Sequence, residues 1–141
     1  MAQAMCTSFK KELFSGVHNF NASGGHAFKV ALFTGLVTLN DTTTAYSSSN
    51  EVASAGYTAG GYPLTNANPS SSGTTAMVSF ASNPVWTGLT CSTTQALIYN
   101  VTAGGNAVAV LDFGGVQTMA VGGFTITFPP VTPTTALLRL V

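Results

Sequence analysis

The chain reads as an all-β protein: a jelly-roll-like antiparallel β-sandwich preceded by a short N-terminal helix. Three observations carry that expectation. From residue 27 onward, apolar side chains recur with period two in several short stretches. Gly and Pro residues punctuate those stretches at a spacing of roughly ten residues, the rhythm of short strands joined by tight turns. Helix formers become scarce after Gly16, and many short strands with regular turn signals fold as sandwiches, jelly rolls or barrels.

Taken in order, the first element is a helix. Ser8 is placed to cap it, Phe9 and Leu13 fall one turn apart on one face, and Gly16 follows as a stop. Residues 1–20 are therefore expected as an arm with a short helix, and residues 21–141 as a single β-sandwich domain. Residues 27–34 put Phe28, Val30 and Leu32 on one face of a strand. Residues 40–73 are rich in Ser, Thr, Asn and Gly, with Val52, Tyr57, Tyr62 and Leu64 as anchors. They predict a long loop excursion with short strands near 50–58 and 61–65. Further strands are expected at 74–80 (Ala76, Val78 and Phe80 against Thr75, Met77 and Ser79) and at 93–99 (Ala96 and Ile98 against Gln95, Leu97 and Tyr99). The stretch 106–113 is almost continuously apolar until Asp112. In 124–128, Phe124, Ile126 and Phe128 alternate with Thr125 and Thr127. In 134–141, Ala136, Leu138 and Leu140 alternate with Leu137, Arg139 and Val141. The pairs Gly24-Gly25, Gly60-Gly61, Gly104-Gly105, Gly114-Gly115 and Gly122-Gly123 are expected as turns.

Charge narrows the function class. Only 6% of the 141 residues are Asp, Glu, Lys or Arg, against about 25% in an ordinary globular domain. Beyond Glu12 the ionised side chains are Lys29, Asp41, Glu51, Asp112 and Arg139, and the net charge is zero. A soluble monomer keeps apart from its neighbours with a mixed charged surface and a net charge away from zero. An exterior of Thr, Ser, Asn, Gly and small apolar groups suits permanent contact with other protein instead. The neutral balance argues against nucleic-acid binding, which needs clustered cations. No apolar run is long enough for a membrane-spanning helix. The first residues have no charged leader followed by an apolar run, so no signal peptide is expected. Synthesis in a cytoplasm would keep Cys6, in a flexible arm, and Cys91, beside a strand, reduced.

The supply of catalytic groups is small. His18 and His26 flank a turn-like stretch with no recurrent metal-ligand spacing. Glu12, Asp41, Glu51 and Asp112 show no paired-acid pattern. Asp112 reads as an edge or bulge residue in an apolar strand. Cys91 has no activating neighbour in sequence, and no Gly-rich run has phosphate-cradling spacing. The reading is a non-enzyme with no catalytic, cofactor-binding or metal-ligating residue and no cofactor. A carbohydrate-binding module is the alternative from another class, but it would need Trp86 and the tyrosines on one exposed face. The expectation is that Trp86 fills the core and the tyrosines line contacts between subunits.

Several phrases of the chain resemble small tailed-phage structural proteins. They are MCTSFKKELFSGVHNF (5–20), FKVALFT (28–34), YSSSNEVASAGYTAGG (46–61), ALIYN (96–100), AVAVLDFG (107–114) and FTITFP (124–129). Together they resemble the cement, or decoration, proteins of short-tailed phage heads of the Bordetella podovirus type, over nearly the whole chain. The resemblance implies a jelly-roll-like fold on the exterior of the virion capsid, stapling subunits of the major capsid protein together as a homodimer or trimer. It carries no catalytic motif. The candidate interface residues are read from the chain itself. Phe9, Leu13 and Phe14 lie on the short helix, which is expected either to dock on coat protein or a sister subunit or to cover one open end of the sandwich. Tyr46, Tyr57 and Tyr62 lie in the excursion, a second contact surface. Another phage structural protein, of tail tube, neck or fibre, is the second reading; the absence of long repeats or coiled segments favours the head.

Overall fold

The computed structural model describes residues 2–141; Met1, at the start of the expected arm, lies outside the described residues. Strand makes up 45% of the chain and helix 6%, in two antiparallel sheets, so the all-β sandwich expectation is met. The larger sheet has the order β1-β7-β6-β2-β3 and the smaller the order β4-β5-β8. In chain order the elements are β1 (Ala2–Met5), α1 (Thr7–Phe14), β2 (Phe28–Phe33), β3 (Tyr62–Leu64), β4 (Ser70–Ser72), β5 (Thr75–Val78), β6 (Val85–Asn100), β7 (Asn106–Thr125) and β8 (Leu138–Leu140).

The first residues are built into the sheet. β1 pairs antiparallel with β7 from Ala2↔Asp112 to Met5↔Ala109. Cys6, expected in a flexible arm, is fully buried in the core. Helix α1 starts ahead of the cap position expected at Ser8. Cys6 is its N-cap residue and makes no side-chain cap bond. Tertiary contacts set the start instead: Cys6 N–H donates to Val108 O at 3.0 Å and Thr7 N–H to Asp41 O at 2.8 Å. Ser8 lies inside the first turn, with its buried Oγ unpartnered. The stop falls where expected. Gly16 has φ +70°, its N–H bonds Leu13 O, and Val17 N–H bonds Glu12 O, the paired bonds of a Schellman cap.

β2 sits mid-sheet and is buried on both faces, between β3 and β6. The stretches expected as separate strands around 93–99, 106–113 and 124–128 are two long strands. β6 and β7 form one hairpin, joined through residues 101–105 and paired, with register shifts, from Asn100↔Asn106 out to Val85↔Thr125. The Gly pairs 114–115 and 122–123 are not turns. They lie inside β7, where the register against β6 slips, because extra residues in a long strand are absorbed as bulges. Asp112 marks the first of these slips and the end of pairing with β1. In β5 Thr75 and Met77 are buried, Ala76 is exposed and Val78 half-buried, and Ser79 and Phe80 just after it are both buried. The final expected strand shortens to Leu138–Leu140, and residues 126–128 keep their alternating burial without strand pairing. Within 40–73 the strands are β3 and β4, while 50–58 contributes only the bridge Phe33↔Glu51.

An aromatic chain ties arm and sheets together. Phe9 meets Phe20 edge-on at 5.9 Å, Phe20 stacks on Phe28 at 4.4 Å, and Phe80 lies 5.8 Å from both Phe28 and Phe128. Each buried ring contributes on the order of 2–3 kcal/mol by leaving water.

Candidate interaction surfaces

The excursion is pinned to the sandwich by one carboxylate. Glu51 is 8% exposed and accepts three bonds: from Tyr46 Oη at 2.7 Å, Tyr57 Oη at 2.6 Å and Gly60 N–H at 3.0 Å. Tyr57 Oη also accepts from Leu32 N–H of β2 at 3.0 Å, and Tyr99 Oη donates to Gly60 O at 2.6 Å. Tyr46 stacks on Tyr99 at 4.3 Å, and Tyr57 and Tyr62 pack on Trp86. Burial, then the neighbouring Glu51 charge, pushes Tyr99 up to about 12. Burial also raises Tyr46 and Tyr57, and their bonds to Glu51 add to it. Gly61 closes the excursion against β2. It has φ +92°, and a Cβ there would sit 2.0 Å from Val30 O.

The arm is held by a second polar cluster. Asn106 of β7 donates to Glu12 Oε2, and Asn100 at the end of β6 bonds both His18 and His26 at 2.9 Å. The His18 side chain is fully buried, with Nε2 3.5 Å from Glu12 Oε1. Next to this cluster is a largely apolar groove of about 430 Å³ between α1, the following loop and the small sheet. Leu13, Phe20, Met77, Leu138 and Arg139 are among its walls.

The third feature is the outer half of the β6–β7 hairpin. β2 pairs only with residues 95–100 of β6, and β1 only with 109–112 of β7. Residues 85–94 and 113–125 therefore run on as a two-stranded ribbon. Its β7 strand has no strand neighbour on the outer side among the described residues. No charged side chain occurs between Asp112 and Arg139. Val116 is 64% exposed and Val121 79%. Val121 also has φ +53°, an outlier conformation for a β-branched residue.

The structure separates the residues expected to make contacts. Phe9 is buried in the core, Leu13 is half-buried against it, and Phe14 projects at 96% exposure. Phe9 therefore offers no surface to a partner. Its phenyl ring fills the space between α1, His18 and Phe20 instead. Tyr46, Tyr57 and Tyr62 are half-buried and turn inward, towards Glu51 and Trp86. Trp86 is itself buried. Among the exposed apolar residues that sequence reasoning misses are Leu36, at 84% exposure, Val116 and Val121. The last two carry a signal: each is a Val directly flanking a Gly pair, where a bulge re-aims a side chain.

Reactive chemistry is sparse on these surfaces. Both cysteines are free thiols. Burial pushes Cys6 up to about 11 and raises Cys91, which keeps them protonated and poorly nucleophilic. Among the described residues, no three His, Cys, Asp or Glu side chains come together as a metal ion would require. No helix among the described residues is long and apolar enough to cross a membrane. No protein-family model, curated protein or solved structure matches the chain.

Proposed function

We propose that this chain is a virion structural protein that binds the outside of a major capsid shell, self-associates there and stabilises the expanded head. One observation carries the reading: a well-packed domain leaves Phe14, Leu36, Val116 and Val121 in solvent on an exterior almost free of ions. Exposed apolar side chains without charges around them favour protein contact. Uncharged Thr, Ser and Asn surfaces make such contacts without desolvating ions, which is costly when pairing is imperfect. A protein that binds only the expanded lattice stabilises that state by mass action. Several modest contacts per subunit raise the effective affinity without any one being strong. The division of eight strands into two sheets supports the sandwich part of the jelly-roll expectation.

Phe14, at the end of α1, and the ribbon's Val116 and Val121 are the proposed contact points. Deleting the arm is the wrong test of the helix, because β1 and Phe9 belong to the sheet and core. Phe14→Ser is the right one. The expected outcome is an unchanged fold with lower occupancy on expanded heads, measured by quantitative gel analysis of purified particles. Full occupancy with Phe14→Ser would remove the helix from the interface. The carbohydrate reading loses its platform, since Trp86 is buried beneath Tyr57, Tyr62 and Phe124.

A further inference from the structure

Five residues distant in sequence, Glu12, His18, His26, Asn100 and Asn106, meet where β6 turns into β7. Asn100 is fully buried. Its Oδ1 accepts from Ala103 N–H at 3.0 Å, which fixes the other terminal atom as the amide nitrogen. That nitrogen's two hydrogens go to Nδ1 of His18 and Nδ1 of His26, each at 2.9 Å. An Nδ1 that accepts carries no proton, so this geometry places the ring hydrogen of each imidazole on Nε2. One asparagine thus touches the Nδ1 of two histidines.

We propose that this cluster is an acid-opened clasp: protonation of His18 at Nδ1 breaks its bond to Asn100 and loosens the segment after α1 from the end of β6. The step takes one proton from solvent and breaks no covalent bond. A protonated Nδ1 would face the Asn100 amide donor to donor, so that crossing bond is lost. The direction of the exchange follows from where the partners sit. The group that gains from an imidazolium at His18 is Glu12, whose Oε1 stands 3.5 Å from Nε2 without hydrogen-bond alignment. Glu12 and His18 both belong to the arm, whereas Asn100 belongs to the sheet. Acid therefore exchanges a bond between arm and sheet for an ion pair within the arm.

The titratable groups acting on His18 are Glu12 from α1 and His26 from the loop after it. The aromatic rings against it are Phe9 and Phe20. β6 contributes Asn100, and β7 contributes Asn106, whose bond to Glu12 Oε2 remains as a hinge. Burial holds the His18 imidazole below its ordinary 6.5, against the pull of Glu12. A depressed imidazole makes the opened chain the better proton acceptor. The clasp is whole above pH 6.5 and is lost as pH falls below it. Opening would bare Phe9 and Leu13 beside the groove. The clasp is independent of the capsid reading and is tested without heads.

The test uses the full chain. Nitrogen NMR of the imidazoles at about pH 8 should show both rings as the Nε2–H tautomer. Amide exchange in residues 7–20, corrected for intrinsic rates, should then accelerate on acidification, by up to about ten-fold per pH unit as His18 takes its proton. Amides of β2 should not follow. Asn100→Asp supplies an acceptor in place of the donor and should reverse the sign, so that acid protects the arm. An Nδ1–H tautomer in either wild-type ring overturns the clasp, and so does exchange in residues 7–20 that keeps only its intrinsic pH dependence. Both decisive readings are made on the wild-type chain, so the clasp stands or falls even where Asn100→Asp does not fold.

Discussion

A carboxylate sealed from water and saturated by two phenols and a backbone amide cannot be swapped for a neutral group at no cost. At Glu51, each charge-assisted bond is worth about 1.5–3 kcal/mol, and truncation leaves the half-buried Tyr46 and Tyr57 hydroxyl donors without their acceptor as well. Glu51→Ala should therefore lower unfolding stability by about 3 kcal/mol or more, measured by urea denaturation. Glu51→Gln, which keeps one oxygen acceptor, should cost clearly less. Val121 makes the opposite case. Left-handed backbone costs a non-glycine residue roughly 1–2 kcal/mol, and a side chain 79% exposed recovers little of that by packing. Val121→Gly should stabilise the isolated protein by roughly 0.5–1 kcal/mol after the entropy of the added glycine is subtracted. Loss of stability in that variant would show that Val121 packs better than its exposure implies. Neither role is legible in the sequence. Glu51 stands out there only as one carboxylate in a polar stretch, because its phenol partners are distributed along the excursion and set by its path. The tyrosines are legible as important, but the sequence does not show that they face inward.

The long excursion behaves as an element held by two clamps, the Glu51 cluster and the contact of Gly61 with β2. A methyl group at Gly61 would overlap Val30 O, and the neighbour that must yield is backbone in a central strand. Gly61→Ala should cost at least about 3 kcal/mol and lower the thermal midpoint accordingly. The tyrosines add an alkaline signature. Tyr99 is pushed from 10.0 to about 12, so the folded state keeps a proton that the unfolded chain releases. That contribution is complete below pH 10 and disappears as pH rises towards 12. Denaturation midpoints taken across that range should fall, and phenolate absorbance should rise together with unfolding. Phenolate at Tyr46, Tyr57 or Tyr99 near pH 10 in the folded protein would contradict the packing of these rings. At this scale the sequence is most legible where local signals agree, as in α1's Gly16 stop and in the apolar run of β2. It is least legible in the β6–β7 hairpin. There Gly pairs that normally mark turns serve as bulges inside β7, because a continuous partner strand lies alongside. The capping signal at Ser8 loses to tertiary bonds made by Cys6 and Thr7.

For the whole molecule, the informative quantity is the charge that is missing. Five ionised side chains after Glu12 leave little to hold copies apart, and the ribbon beyond Asp112 has none. That composition is plain in the sequence, and so is the β class it accompanies. The exposed residues that would use it, Phe14, Leu36, Val116 and Val121, emerge only when the fold decides which apolar groups it has no room for. A Phe14→Ser change should leave unfolding stability within about 0.5 kcal/mol of the parent, since a side chain 96% exposed packs against little. The most direct test of the capsid role is co-sedimentation of the purified protein with phage heads before and after expansion. The expected result is saturable binding to expanded heads, on the order of hundreds of copies each, and little binding to unexpanded ones. Protein that stays in the supernatant with both, or binds both equally, would contradict it.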